Sequence, residues 1–213
     1  MKKKCMLTLI LSVAVMLLGG CGSMSAEDAT LYTQSILDAS YKGEFKEYIE
    51  QTESTEEEAQ EIYDASLDVI MAESGFEELG ISDELEANYR QLFQDMLQSA
   101  KYEVGEAKEE EDDSYTLDVK VCAFTAFEGV TEETEAWLTE QYADATEVPT
   151  QEELNEQFLQ KMYELMAARL ADPSYGEEQI ITIHVKPDSE GVWYIPEEDL
   201  TAIDGTLFPE NMF

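Results

Sequence analysis

Cations, histidine and cysteine are scarce in this chain, and each shortage excludes something. Only 12 lysines and arginines face 49 aspartates and glutamates, a formal net charge of −37 at pH 7. A nucleic-acid partner is excluded, because neutralising phosphates takes clustered Lys and Arg, and a polyanion would be repelled. The same imbalance disfavours docking of the folded part on anionic lipid. His184 is the single histidine, which leaves no companion set for a zinc site or a hydrolytic triad. It is expected to be a surface or sheet-edge residue. The cysteines are Cys5, Cys21 and Cys122. No long apolar run is present either. The longest, Met6 to Leu18, is broken by Thr8 and Ser12 and ends at Gly19-Gly20, short of the ~20 apolar residues that span ~30 Å of hydrocarbon.

What that run does provide is an address. Lys2, Lys3 and Lys4 precede it, the order of a secretory signal peptide. Leu18-Gly19-Gly20-Cys21 follows it and resembles the lipobox of bacterial lipoproteins: an aliphatic residue, two small residues, then the modified cysteine. The resemblance implies removal of residues 1 to 20 and a diacylglyceryl group on Cys21. It implies attachment to the cell membrane at its extracytoplasmic face, through two acyl chains where one would be marginal. The alternative is an ordinary signal peptide with a chance cysteine after its cleavage site. Loss of the leader leaves nine basic residues against 49 acids, a net charge of −40. It also leaves Cys122 as the one free thiol, so no intrachain disulfide can form. Such thiol economy is compatible with a Gram-positive envelope.

The exported part, residues 26 to 213 after a short tether at 21 to 25, is expected to be one domain. With 44% apolar residues it is not a disordered polyanion. Ser25 with Asp28 opens a helix that Gly43 breaks. Thr55 with Glu58 forms a capping box before the stripe Ala59, Ile62, Tyr63, Leu67, Ile70, which Gly75 ends. Ser82 caps a third helix bearing Leu85, Tyr89, Leu92, Phe93, Met96 and Leu97. The period then changes to two. Tyr102 and Val104, the acidic loop Glu109 to Asp113, and Tyr115 to Ala123 make a hairpin with one buried face. A short helix is expected near Thr131 to Tyr142, and a long one opens at the Thr150 and Glu153 capping box. Ile181, Ile183 and Val185, a turn from Pro187 to Gly191, and Val192 to Ile195 make a second hairpin, followed by a helix from Pro196. The class is α+β: a curved antiparallel sheet of about four strands in two hairpins, with amphipathic helices on one face.

The order of parts is similar to lipobox-bearing lipoproteins of Firmicutes whose exported domain is NTF2-like or cystatin-like, including families of uncharacterised function. The similar features are the Tyr41-Lys42-Gly43-Glu44-Phe45 break, the Tyr102-Glu103-Val104 start of the hairpin, and the closing Gly191-Val192-Trp193-Tyr194-Ile195 strand. Together they cover most of residues 26 to 205. The long helix from Thr150 departs from the plain NTF2-like order. The resemblance implies a pocket between helices and sheet that can hold a small molecule.

No catalytic residue, cofactor or metal ligand is singled out by spacing. The acidic runs Glu56 to Glu58, Glu109 to Asp113 and Glu132-Glu133 lack the spacing of a calcium loop and are expected to be solvated. If the domain is anchored, they are expected to point away from the bilayer. Cys122 is expected to be a small filler under a helix, the alternative being an exposed thiol. Tyr32, Tyr48, Tyr142 and Tyr175 fit the stripes less well and would make a glycan or partner site if they met at the surface. The sequence therefore predicts a non-enzymatic module of the cell envelope, binding a small apolar ligand, an envelope protein or a wall component. The alternative is an NTF2-like enzyme, which requires a deep pocket with a buried carboxylate near a tyrosine or His184.

Overall fold

The computed structural model describes residues 24–143, 149–209 and 212; Leu18, Gly19, Gly20 and Cys21 lie outside them. Helix α1 (Ala26–Leu37) starts at Ser25, whose hydroxyl accepts the Asp28 amide while the Asp28 carboxylate takes the Ser25 amide at 3.0 Å. After Leu37 the backbone widens into a π-helical stretch (Asp38–Lys42) and stops at Gly43, with φ 67°. Glycine enters that left-handed region without the steric penalty a Cβ carries. The widened turn faces Asp38, which accepts from Gln34, Lys42 and Tyr102 at 2.7, 2.7 and 2.6 Å.

Helix α2 (Lys46–Thr52) leads to α3 (Glu56–Ser74), where the Thr55 and Glu58 capping box is formed and Gly75 ends the helix at φ 71°. A single turn, α4 (Phe76–Leu79), precedes α5 (Asp83–Gln98), capped by Ser82. Strands β1 (Lys101–Val104), β2 (Lys108–Glu109) and β3 (Tyr115–Phe124) follow. Then come α6 (Val130–Gln141) and α7 (Gln151–Leu170), the latter with its Thr150 and Glu153 box. Strands β4 (Tyr175–Pro187) and β5 (Trp193–Tyr194) and helix α8 (Glu197–Leu207) close the order.

The antiparallel sheet runs β1-β3-β4-β5, with the short β2 also on β3. Two hairpins are present, as the alternation predicts. They are joined by β3 and β4, which pair from Tyr115↔Val185 to Phe124↔Tyr175. On the helical side Tyr115, Leu117, Val119 and Val121 of β3 and Ile183 and Val185 of β4 are buried. Helices α1 and α8 contact the strands, while α3, α5 and α7 stack beyond them. The opposite face carries Thr116, Asp118, Lys120 and Cys122 with His184, Thr182, Ile180 and Glu178 across from them. It is the solvated side of a sheet with one buried face.

Candidate apolar cavity and buried polar groups

An apolar cavity of about 290 Å³ lies within the helical layer. Helix α3 contributes Ile70, α5 contributes Phe93 and Met96, α7 contributes Met162 and Met166, and Met212 closes one wall. The left-handed Gly75 turns the chain so that α4 crosses α5. Phe76 is thereby set 4.5 Å from the Tyr89 ring and 6.3 Å from that of Phe93. Methionine fills irregular space without fixing one shape, so a methionine-rich wall adapts to an occupant.

The polar groups near the cavity are already engaged. The Tyr89 hydroxyl donates to the Leu159 carbonyl at 2.8 Å, and the Ser74 hydroxyl to the Met71 carbonyl at 2.6 Å. Burial pushes the Tyr89 hydroxyl above its ordinary range. Glu73, on the rim, is exposed. What the cavity can do chemically is bury apolar surface, and nothing inside it would hold a charged head. The resemblance places a pocket between helices and sheet; this one lies between helices. The sheet side is filled by Tyr41, Phe124 and Phe127, all essentially inaccessible.

A buried carboxylate does exist, at a different place. Asp204 of α8 is 4% exposed and accepts from the Tyr41 hydroxyl through Oδ1. Its Oδ2 is buried and has no partner among the described residues. Burial pushes this carboxyl up to about 7, against a smaller downward pull from the Tyr41 hydrogen bond. Tyr41 is pushed well above its ordinary range, first by burial and then by Asp204. Asp204 is not among the walls of the cavity. The combination an NTF2-like enzyme requires, a pocket containing its carboxylate, is not assembled among the described residues. Nothing in the local sequence marks Asp204. It occupies an apolar phase of α8 with Leu200, Ile203 and Leu207, and only that phase hints at burial.

His184 sits at the sheet edge. Its amide and its ring Nδ1 meet Asp199 Oδ2 at 2.8 and 3.0 Å. Cys122 corrects the expectation of a filler under a helix. It is half-buried on the solvated face, opposite Lys101 and Glu178, because it holds the polar phase of β3. The tyrosine cluster is not formed either: Tyr32 and Tyr48 are buried at 4% and 3% exposure. Tyr32 lies inside because its hydroxyl finds the Trp193 carbonyl at 3.1 Å. Of the acidic runs, Glu56 to Glu58 form the first turn of α3 and Glu132-Glu133 the first turn of α6. Negative charge is favoured at both positions.

The remaining run bears on the anchor. Met24 is buried, and its carbonyl accepts from the Tyr115 hydroxyl at the start of β3. Burial raises the Tyr115 hydroxyl, and Glu109, Asp113 and Asp28 add to that. The Glu109 to Asp113 loop thus lies beside Met24, the first of the described residues. The loop is held there because β3 starts at Tyr115, whose hydroxyl meets the Met24 carbonyl.

These features define an α+β protein with an antiparallel sheet open on one side and an apolar cavity in its helical layer. Among the described residues no helix is long and apolar enough to cross a membrane. No protein family matches the chain, and no curated protein matches it. The crystal structure of a candidate lipoprotein, ycdA, from Bacillus subtilis subsp. subtilis str. 168 is similar in fold, with a TM-score of 0.54 and 12% identity. The similarity covers 87% of this chain and 57% of that one, so the chain spans little more than half that protein's length.

Proposed function

We propose that this protein is a lipid-anchored envelope lipoprotein, held at the extracytoplasmic face of the membrane through Cys21, whose helical layer binds a small apolar ligand. The observation that carries the ligand reading is the methionine-lined cavity of about 290 Å³, whose one charged lining residue, Glu73, is exposed. Ligand cavities run ~300–1,000 Å³, so the volume suits a short acyl chain or a small ring system. The lipobox at Leu18 to Cys21 carries the anchor reading. The likeness to a candidate lipoprotein agrees with it at the level of class. An NTF2-like or cystatin-like ancestry is part of the proposal, supported by the antiparallel sheet with helices on one face.

The ligand reading is tested on the folded part from Met24 onward with N-phenyl-1-naphthylamine, a probe that brightens in apolar sites. Binding is expected for the wild type. Met162 is half-buried, so Met162→Trp has room to fill the cavity. It is expected to weaken the probe at least about tenfold while leaving the melting temperature equal or higher, since occupied volume removes a cavity penalty of ~24 cal/mol per Å³. Mass spectrometry of organic extracts from the membrane-purified protein identifies the natural occupant. A wild type that neither brightens the probe nor carries an extractable apolar molecule counts against the reading.

A further inference from the structure

We propose that two copies of this chain pair antiparallel through the outer edge of β4, about a two-fold axis at Ile180. The phase of the β3–β4 ladder decides which groups are free. The Gly105 amide takes the Asp118 carbonyl from the β1 side, and the His184 amide goes to Asp199 and not to β3. The pairs Thr116/His184, Asp118/Thr182, Lys120/Ile180 and Cys122/Glu178 are therefore the non-bonded ones between β3 and β4. The amide and carbonyl groups of Glu178, Ile180 and Thr182 point away from β3. Strand β5 meets β4 only at Lys186 and Pro187, and no described residue pairs with this stretch of edge.

Such an edge is a template for another strand, and proteins blunt it with proline, lysine, a bulge or a covering element; the bulge of β4, at Gly176-Glu177 opposite Ala123, precedes the stretch from Glu178 to Thr182. Between Gly176 and Val185 there is neither proline nor lysine. From Gly176 to Ile180 every residue is exposed, so both faces are open to a neighbour. Ile180, at 61%, is the most exposed large apolar side chain among the described residues.

Self-pairing is favoured over an unrelated strand because the sequence complements itself in this register. Ile180 meets Ile180, Gln179 meets Ile181, and Glu178 meets Thr182, all on the regular side of the bulge at Gly176-Glu177. No carboxylate lies directly opposite another, whereas an axis at Glu178 would oppose the two Glu178 side chains and be destabilising. Glu178 also lies near Lys120 of its own chain. Where α8 closes the edge at His184, the facing chain has reached its bulge at Gly176, where regular pairing stops. About six backbone hydrogen bonds would form. The area is below that of a standard interface, ~1,600 Å², so the dimer is expected at hundreds of micromolar in solution. Two anchored copies in one leaflet would meet at higher effective concentration.

Sedimentation velocity and amide exchange on the folded part, from about 10 µM to 1 mM, test this. A dimer is expected to grow with concentration, with rising protection at Glu178, Ile180 and Thr182. Gln179 and Ile181, bonded to β3, should be protected throughout. Ile180→Asp would oppose two carboxylates at the axis, and Thr182→Pro removes an edge donor without touching the β3 ladder. Each is expected to keep the wild-type circular dichroism spectrum and stay monomeric at 1 mM. Two variants guard against one failing to fold. A wild type monomeric at 1 mM, or a dimer that survives Ile180→Asp, overturns the proposal.

Discussion

A Cys21→Ala protein is expected to incorporate no labelled palmitate, while wild type and Cys122→Ser incorporate it fully. The expectation follows from chemistry: the thiolate accepts the diacylglyceryl group, and alanine offers no nucleophile. Each buried CH₂ contributes ~0.8 kcal/mol, so two acyl chains hold the wild type in the membrane stably. The alanine precursor also keeps an uncleaved leader, so the label on the protein is the deciding measurement and fractionation is secondary. Expression of the part from Met24 onward completes the comparison: without leader or lipid it is expected wholly in the soluble fraction. Label retained on Cys21→Ala would sink the anchor.

If Cys21 carries the lipid, the position of Met24 limits the reach of the tether. Met24 is fixed to Tyr115, so a chain of three peptide steps, at most ~11 Å, separates it from Cys21. With a lipid on Cys21, the corner formed by Tyr115, Trp193 and Tyr32 would be held close to the membrane, with the Glu109 to Asp113 loop beside it. Charges act over only ~8 Å at physiological salt. In the anchored protein the loop would therefore tilt the domain away from an anionic surface without opposing the acyl chains.

Elements whose signal is local were legible before any coordinates. All three capping boxes, at Ser25, Thr55 and Thr150, form as their spacing indicates, because each is a contract among four adjacent residues. The β3 alternation is equally plain, since one face is buried along its length. Strand β4 was legible only from Ile181 onward. Its first half, Tyr175 to Ile180, carries no buried face, so no alternation exists to read there. Pairing with β3 creates that half. The cavity was foreseen as a possibility but placed beside the sheet, because stripes show which residues are buried and not which helices meet. Phe93, Met96 and Met166 lie on foreseen stripes, yet their convergence depends on α7 crossing α5. Asp204 was invisible for a related reason: an aspartate on an apolar phase of a short helix near the end of the chain looks like a surface acid until Tyr41 is found against it.

That aspartate is expected to make the stability of the described residues strongly pH-dependent. Its carboxyl is pushed up to about 7 from an ordinary 3.8. Below about pH 4 folded and unfolded chains both hold the proton, and the full stabilisation is present. Between about 4 and 7 the unfolded chain has released it and the folded chain has not, so stability falls as pH rises, by ~1.4 kcal/mol per unit. Above 7 both are ionised, and about 4 kcal/mol has been lost. Groups whose carboxyls are held low, such as Asp28 by its Ser25 bonds, act in the opposite sense and below this window. Asp38 is likewise low, its desolvation outweighed by Lys42, Tyr102 and Gln34. The Tyr41 hydroxyl, raised well above its usual range, stays protonated throughout. Asp204→Asn keeps an acceptor for Tyr41 and cannot ionise. Melting curves from pH 5 to 9 cover about 2.7 kcal/mol of that loss and should fall for the wild type by roughly 5–11 °C, at 2–4 °C per kcal/mol for a chain of this size. For the variant they should stay nearly level and lie higher above pH 7. Parallel curves would mean that Asp204 is hydrated in solution, and that Oδ2 reaches water which the packing around Tyr41 and Phe208 otherwise excludes.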